Sequence, residues 1–212
     1  MLKYKAIIWD YNGTLLDDLS IGVKSINKML LKRGLPILST ERYREVFTFP
    51  VKKYYENVGF DFKQESWAET AKEFIAHYTS LLAESTIFPE AMNLLSHFST
   101  QGKRQFILSA MEQQMLNQST EQEKIQTYFD EISGIDNIYA SSKIENGKKL
   151  LQKFELSPGE VCLLGDTSHD YEVAKELGCK CILVASGHQS FSRLQKTGCP
   201  VIIQHLNELI KN

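Results

Sequence analysis

Short apolar runs alternate with amphipathic stretches through the second half of this 212-residue chain, and that alternation narrows the fold more than any other feature. The runs at residues 105–108, 132–138, 161–164, 181–184 and 201–203 are the length of buried strands, and Ala6–Trp9 (AIIW) reads the same way near the start. Helical patterns fall between them at 90–98, 146–154 and 171–177. Strands alternating with helices build a parallel sheet covered on both faces, an α/β, Rossmann-like core. Gly102, Gly178 and Gly198 each follow a helical pattern and serve as stop signals.

Residues 16–85 break the alternation. They show helical periodicity at 19–32, 40–47, 51–58 and 64–83, with breaks at Gly34-Leu35-Pro36, Phe49-Pro50 and Gly59-Phe60-Asp61. Phe88-Pro89 marks the return to strand and helix. The expected organisation is a core of residues 1–15 and 86–212, with residues 16–85 forming an all-helical insertion after the first strand. A chain of this length suits one main domain plus such an insertion.

Composition excludes several function classes. Charged residues make up 24% of the chain and the net charge is -2, so no basic face is expected for nucleic acid. No stretch approaches the roughly 20 apolar residues of a membrane span, and the first apolar run is too short for a secretory signal. A cytoplasmic monomer or homodimer is expected. Cys162, Cys179, Cys181 and Cys199 lie in or beside apolar runs and read as core thiols. No second Cys/His pair lies at zinc-site spacing from Cys179-Lys180-Cys181, so a metal-thiolate site is not expected.

An open parallel sheet binds ligands at the carboxyl ends of its strands. There the first strand delivers Asp10, and the 105–108 run delivers Ser109. The loop before Asn146 offers Lys143, and the 161–164 run delivers Gly165-Asp166-Thr167-Ser168-His169-Asp170. Singly, each piece has a structural explanation. Asn12-Gly13 is a strong turn signal, Asp170 suits the cap of a helix starting near Tyr171, and Asp17 and Asp18 suit the start of the first inserted helix. Together they bring three acids, a hydroxyl and a lysine to one edge.

In this order the residues resemble the haloacid dehalogenase-like hydrolase superfamily, in its phosphoglycolate phosphatase-like branch with a helical cap. Asp10-Tyr11-Asn12-Gly13-Thr14 matches the first motif, Asp-x-Asp-Gly-Thr, except at Asn12. Ser109 matches the second motif, and Gly165 to Asp170 matches the fourth, Gly-Asp-x-x-x-Asp. Lys143 best matches the third, although Ile144 follows it where many relatives have Pro, and Lys148 and Lys149 lie nearby. The resemblance implies a magnesium-dependent phosphatase acting on a small phosphorylated metabolite. Asp10 would be the nucleophile that forms an aspartyl phosphate. Ser109 and Lys143 would hold the transferring phosphoryl group, with Gly13, Thr14 and Ala110 completing its cradle. Three carboxylates and one ammonium sum to about -2, which a hard dication balances. The resemblance implies Mg2+ held by Asp10, Asp166, Asp170 and the backbone carbonyl of Asn12.

Asn12 is the departure. In family phosphatases the acid at this position protonates the leaving oxygen and later activates water, and an amide moves no proton. General acid and base catalysis contributes about 100- to 10,000-fold, or roughly 3 to 5 kcal/mol. His169, or a side chain of the insertion, is a candidate substitute. Two further readings stay open: cleavage of phosphonates or halides, and a phosphate-binding module without turnover. The Asp166/Asp170 pair speaks against halide cleavage, and Lys24 or Lys28 would have to supply the reactive lysine of a phosphonate-cleaving enzyme. Phe47, Phe49, Pro50, Tyr54 and Tyr55 form an aromatic cluster expected to pack between inserted helices, with some facing substrate. Lys52 and Lys53 suit a solvated helix face or the steering of an anion. His77 and His97 are expected in packing roles, and His188, after a strand end, at the rim of the site.

Overall fold

The computed structural model describes residues 4–139 and 143–210. In chain order the elements are β1 (Ala6–Trp9), β2 (Leu16–Asp17), α1 (Leu19–Lys32), α2 (Thr40–Val46), α3 (Val51–Asn57), α4 (Trp67–Leu81), β3 (Thr86–Ile87) and α5 (Pro89–Thr100). They continue with β4 (Arg104–Glu112), α6 (Gln113–Gln122), β5 (Glu131–Ile135), α7 (Ile144–Lys153), β6 (Val161–Gly165), α8 (Ser168–Leu177), β7 (Lys180–Val184), α9 (Phe191–Gln195) and β8 (Ile202–Ile203).

Six strands form one parallel sheet in the order β5-β4-β1-β6-β7-β8. β1 is central and buried on both sides, which is why its four residues are continuously apolar. Successive side chains on a strand face opposite ways. Ile7 and Trp9 accordingly pack with Leu94, Leu95 and Phe98 of α5 and Leu116 of α6. Ala6 and Ile8 pack with Leu150 of α7 and with Val173, Ala174 and Leu177 of α8. Trp9 is level with Ile107 of β4 and Leu164 of β6, so the chain leaves β1 and β6 at nearly one height, beside the point where β4 loses its regular register with β5. That register sets Asp10, Ser109 and Asp166 side by side.

Helices α1 to α4 have a core of their own around Ile26, Met29, Leu30, Tyr43, Tyr54 and Tyr55. The chain leaves the sheet region along β2 and returns along β3, and these two strands pair antiparallel, Leu16 with Ile87 and Asp17 with Thr86. At two residues each, they are too short to leave a sequence pattern. None of the described helices is long and apolar enough to cross a membrane. The four cysteines are free, with Cys162, Cys181 and Cys199 buried.

Several boundaries differ from the sequence expectation. β4 does not stop at Leu108; it runs to Glu112 across a register shift against β5, so Ser109 lies inside an irregular strand instead of closing a regular one. The polar helix α6 (QQMLNQSTEQ) was not anticipated, because it buries few side chains. The Glu112 carboxylate starts it by accepting from the N–H groups of Gln114 (2.9 Å) and Met115 (3.0 Å). Two predicted strands are shorter than expected, β5 ending at Ile135 and β8 spanning two residues. α4 begins at Trp67, after the Ser66 cap, instead of at Gln64. α7 begins at Ile144 and α8 at Ser168, each earlier than the apolar pattern indicated. Gly178 ends α8 in the left-handed conformation, as a helix stop requires.

Candidate active site

Asp10 follows β1 directly, and its N–H donates to the Leu164 carbonyl (2.8 Å), which ties the turn to β6. Asp166 follows β6, and Asp170 sits in the first turn of α8. All three are buried, and each offers an oxygen within 4.8 Å of the others'. Lys143, buried at the start of α7, pairs with Oδ1 of Asp10 and with Oδ1 of Asp170 at 2.7 Å. Lys148 is exposed and pairs with Glu145 (2.7 Å), so the lysine among the acids is Lys143. Asp170 does not merely cap α8. One oxygen accepts from the Thr167 N–H (3.0 Å) and hydroxyl (2.7 Å), while the other meets Lys143.

Burial, reinforced by the charges of Asp170 and Asp166, pushes Asp10 well above the usual carboxylate range despite Lys143. Burial also lifts Asp166 to about 6; His188 opposes the shift and Asp170 adds to it. Burial would raise Asp170 as well, but the charge and hydrogen bond of Lys143, with the Thr167 hydroxyl, hold it low. Desolvation works against the Lys143 ammonium, yet its two carboxylates hold its pKa above the ordinary lysine value. The cluster is therefore short of positive charge, and its all-oxygen donor set fits a hard dication such as Mg2+.

Glycine makes room for the acids. Gly13 has φ +74°, and a Cβ there would lie 2.4 Å from Oδ2 of Asp166. A Cβ on Gly187, in the loop after β7, would lie 2.2 Å from the same oxygen. No side chain other than hydrogen fits at either position. Asp166 is then held by the Thr14 hydroxyl on Oδ1 (3.1 Å) and the His188 N–H on Oδ2 (2.6 Å). Gly187 had no sequence motif to mark it.

Asp18 overturns its expected role. It occupies the N-cap position of α1, but its side chain makes no cap hydrogen bond. It is 1% exposed and accepts from the Gly13 N–H (2.8 Å), the Asn12 amide (2.9 Å) and the Tyr78 hydroxyl of α4 (2.7 Å). Nε2 of His188 lies 3.1 Å away, and Nδ1 of the same ring lies 3.0 Å from the Tyr43 hydroxyl of α2. Burial alone would raise Asp18, but the His188 charge and these hydrogen bonds hold it below the usual carboxylate range. Burial likewise opposes the His188 charge, and Asp18 reverses that, raising the imidazole to about 9. His188 is thus a buried link between the β7 loop and the helical segment, not a rim residue. Asp17 is exposed.

This network fixes Asn12. Its Nδ2 donates to Asp18 (2.9 Å) and Tyr78 (2.9 Å), which leaves Oδ1 toward the Ser109 hydroxyl, 3.5 Å away. Ser109 is buried and accepts from the Met111 N–H (3.0 Å), and Ala110 beside it lines the cavity.

A cavity of about 150 Å3 opens between the acids and the helical segment. Asp10, Asn12, Ser109, Lys143 and Asp170 line one side, and Phe47, Phe49, Tyr54, Trp67, Phe74 and Ile75 line the other. Pro50 is exposed and does not line it. His169 is buried in α8, where its ring stacks on Phe49 (4.7 Å between centroids). Lys24, Lys28, Lys52 and Lys53 are exposed and lie outside the cavity lining, which leaves a phosphonate-type lysine without a candidate among them. His77 meets Glu73 at 3.9 Å, and His97 lies 2.8 Å from the Gln101 amide, both in packing roles.

Comparison with known proteins agrees with this architecture. The family described as haloacid dehalogenase-like hydrolase matches residues 7–184. The phosphoglycolate phosphatase of Chromobacterium violaceum is 24% identical over 217 residues, covering 98% of this chain and 97% of its own length. That of Pseudomonas fluorescens is 24% identical over 216 residues, covering 97% of this chain and 78% of its own. Among solved structures, a haloacid dehalogenase-like hydrolase from Streptococcus pneumoniae superposes with a TM-score of 0.85 at 22% identity, covering 100% of this chain and 99% of its own.

Proposed function

We propose that this chain, which belongs to the haloacid dehalogenase-like hydrolase family, is a magnesium-dependent phosphatase that hydrolyses a small phosphorylated metabolite through Asp10. The observation that carries this reading is the buried cluster in which Lys143 bridges Asp10 and Asp170 beside Asp166 at the carboxyl edge of the sheet. The phosphatase names of the relatives support it.

In this mechanism the Asp10 carboxylate attacks phosphorus as the ester P–O bond breaks and the alcohol leaves, taking its proton from solvent. Water then cleaves the aspartyl phosphate to inorganic phosphate and free Asp10, so one hard displacement becomes two easier ones. Lys143 orients Asp10, and as an ammonium in contact it offsets part of the upward push of burial on that carboxyl. Ser109 and the backbone at Ala110 face the transferring oxygens, whereas the Gly13 N–H is taken by Asp18 and the Thr14 hydroxyl by Asp166, so these two hold the acids in place instead of cradling phosphate as expected. Asp10, Asp166, Asp170 and the Asn12 carbonyl would hold Mg2+, which supplies charge neutralisation at the phosphoryl oxygens when bound. Helices α1 to α4, within residues 16–85, act as a cap that excludes water.

Position 12 then orients and does not transfer. With Nδ2 tied to Asp18 and Tyr78, the amide offers only Oδ1 to the reacting groups. An acceptor in that place can align a water or a leaving hydroxyl but takes no proton from it. Magnesium-dependent release of inorganic phosphate from a panel of phosphate monoesters tests the activity. Release that persists in Asp10→Asn would overturn the assignment.

A further inference from the structure

We propose that the cavity beside Asp10 selects phosphate monoesters whose alcohol is uncharged and aromatic, and rejects those whose alcohol carries a carboxylate. This inference rests on the phosphatase function above and concerns the group attached to the phosphate.

A carboxylate tail needs a cation that is free to meet it, since an anion buried without a partner is strongly disfavoured. Among the described residues lining the cavity, Lys143 is the only lysine or arginine, and it is tied to Asp10 and Asp170. His188, also in the lining, is tied to Asp18. Residues 140–142 are Ala-Ser-Ser and carry no charge. The basic side chains of the helical segment turn elsewhere. Arg33 meets Glu65 and Glu73, Lys24 meets Glu84, and Arg44 reaches the carbonyls of Ala185 and Gln189. Asp18 and Glu112, by contrast, do line the cavity and would repel a carboxylate.

The remaining wall is built for a ring. Phe47, Phe49, Tyr54, Trp67, Phe74 and Ile75 offer apolar surface and aromatic faces and edges. Two buried polar atoms of cavity-lining residues, Oη of Tyr54 and Nε2 of His169, have no hydrogen-bond partner among the described residues. Buried polar atoms are rarely left so, and these two match a hydroxyl, ether or carbonyl on a neutral ligand. The volume, about 150 Å3, exceeds the roughly 15 Å3 needed for one water about tenfold, which leaves space for a single ring. The related phosphatases named for phosphoglycolate act, by that name, on an ester with a carboxylate tail; this cavity is not furnished for one.

The test compares kcat/KM for benzyl phosphate and 2-phosphoglycolate in Mg2+, both esters of primary alcohols, with calorimetric binding of benzylphosphonate and phosphonoacetate alongside. The expected result is a preference of about tenfold or more for the benzyl compound in both measurements. Ile75→Lys, which places an ammonium at a half-buried wall position, should narrow that preference about tenfold with the fold intact by circular dichroism. Equal or better use of 2-phosphoglycolate overturns the inference and leaves the phosphatase function standing. If neither ester turns over while benzylphosphonate still binds tighter, the selectivity stands and the phosphatase function falls. Equal binding of the two phosphonates, or binding of neither, overturns the inference as well.

Discussion

The two walls of the cavity are made by opposite means. On the sheet side, position is everything: β1 and β6 end at nearly one height beside the irregular stretch of β4, glycines at 13 and 187 admit a carboxylate, and Lys143 is held by two acids. On the helical side no single position is exacting, and rings from α2, α3 and α4 supply a surface with almost no charge. The difference separates chemistry from choice of substrate. Reaction at phosphorus needs charges fixed to within fractions of an ångström, whereas recognition of a leaving group by burial depends on area and on the absence of misplaced charge.

That contrast can be broken from either side. Asp10→Asn should lower kcat by about ten-thousandfold or more, as removal of a nucleophile does, while calorimetry finds benzylphosphonate binding largely retained. Loss of both together would mean that the walls are not separable.

Lys143→Met removes the cation that pairs with both Asp10 and Asp170. Breaking a buried ion pair from one side costs about 3 to 5 kcal/mol, so urea melts without metal should show a loss of that size, partly restored by Mg2+. An unchanged melt would mean that the acids do not depend on the lysine.

The Asp18–His188 pair joins the walls and gives a pH signature. His188 is raised from 6.5 to about 9 on folding, so its stabilisation is fully present below pH 6.5 and is lost as pH rises through about 9. The loss is up to about 3 kcal/mol. Thermal melts between pH 6 and 10 should therefore fall more steeply for the native protein than for Asp18→Asn. Parallel curves would remove the ion pair from the account.

Asn12→Asp is the smallest expected effect on stability and the most diagnostic. The new carboxylate would replace an amide that now donates to Asp18 at 2.9 Å, costing about 1 to 3 kcal/mol in chemical melts. In an Asp18→Asn background the same Asn12→Asp change should cost little further stability, because the facing carboxylate is gone, and should raise kcat by up to about 100-fold, the lower end of what an acid or base contributes. A single Asn12→Asp variant with full stability would show that Asp18 does not dictate the residue at position 12.

The chemistry-bearing wall was legible in the sequence because Asp10, Ser109 and Asp166 sit within a residue or two of an apolar run, and Asp170 lies in the short segment that follows Asp166. Asp10, Ser109, Asp166 and Asp170 could be placed at one edge from periodicity alone. Asp18 and His188 were not legible, because their importance lies in each other across 170 positions of sequence. An acid before a helix looks like a cap until its side chain is seen to turn inward. Gly187 and α6 escaped for related reasons: a glycine's role depends on what lies beside it, and a polar helix capped by Glu112 has too small an apolar face to announce itself. The aromatic cluster was visible at 47–55, but Trp67, Phe74 and Ile75 come from a different helix, and only packing assembles them into one wall.

The most direct test of the account is to trap the phosphoryl group on the protein. The native chain, mixed with acetyl phosphate and Mg2+, quenched in acid and reduced with borohydride, should yield one modified peptide in which Asp10 has become homoserine. Release of phosphate with Asp10 unmodified at every quench time, or reduction at any other carboxylate, would contradict it.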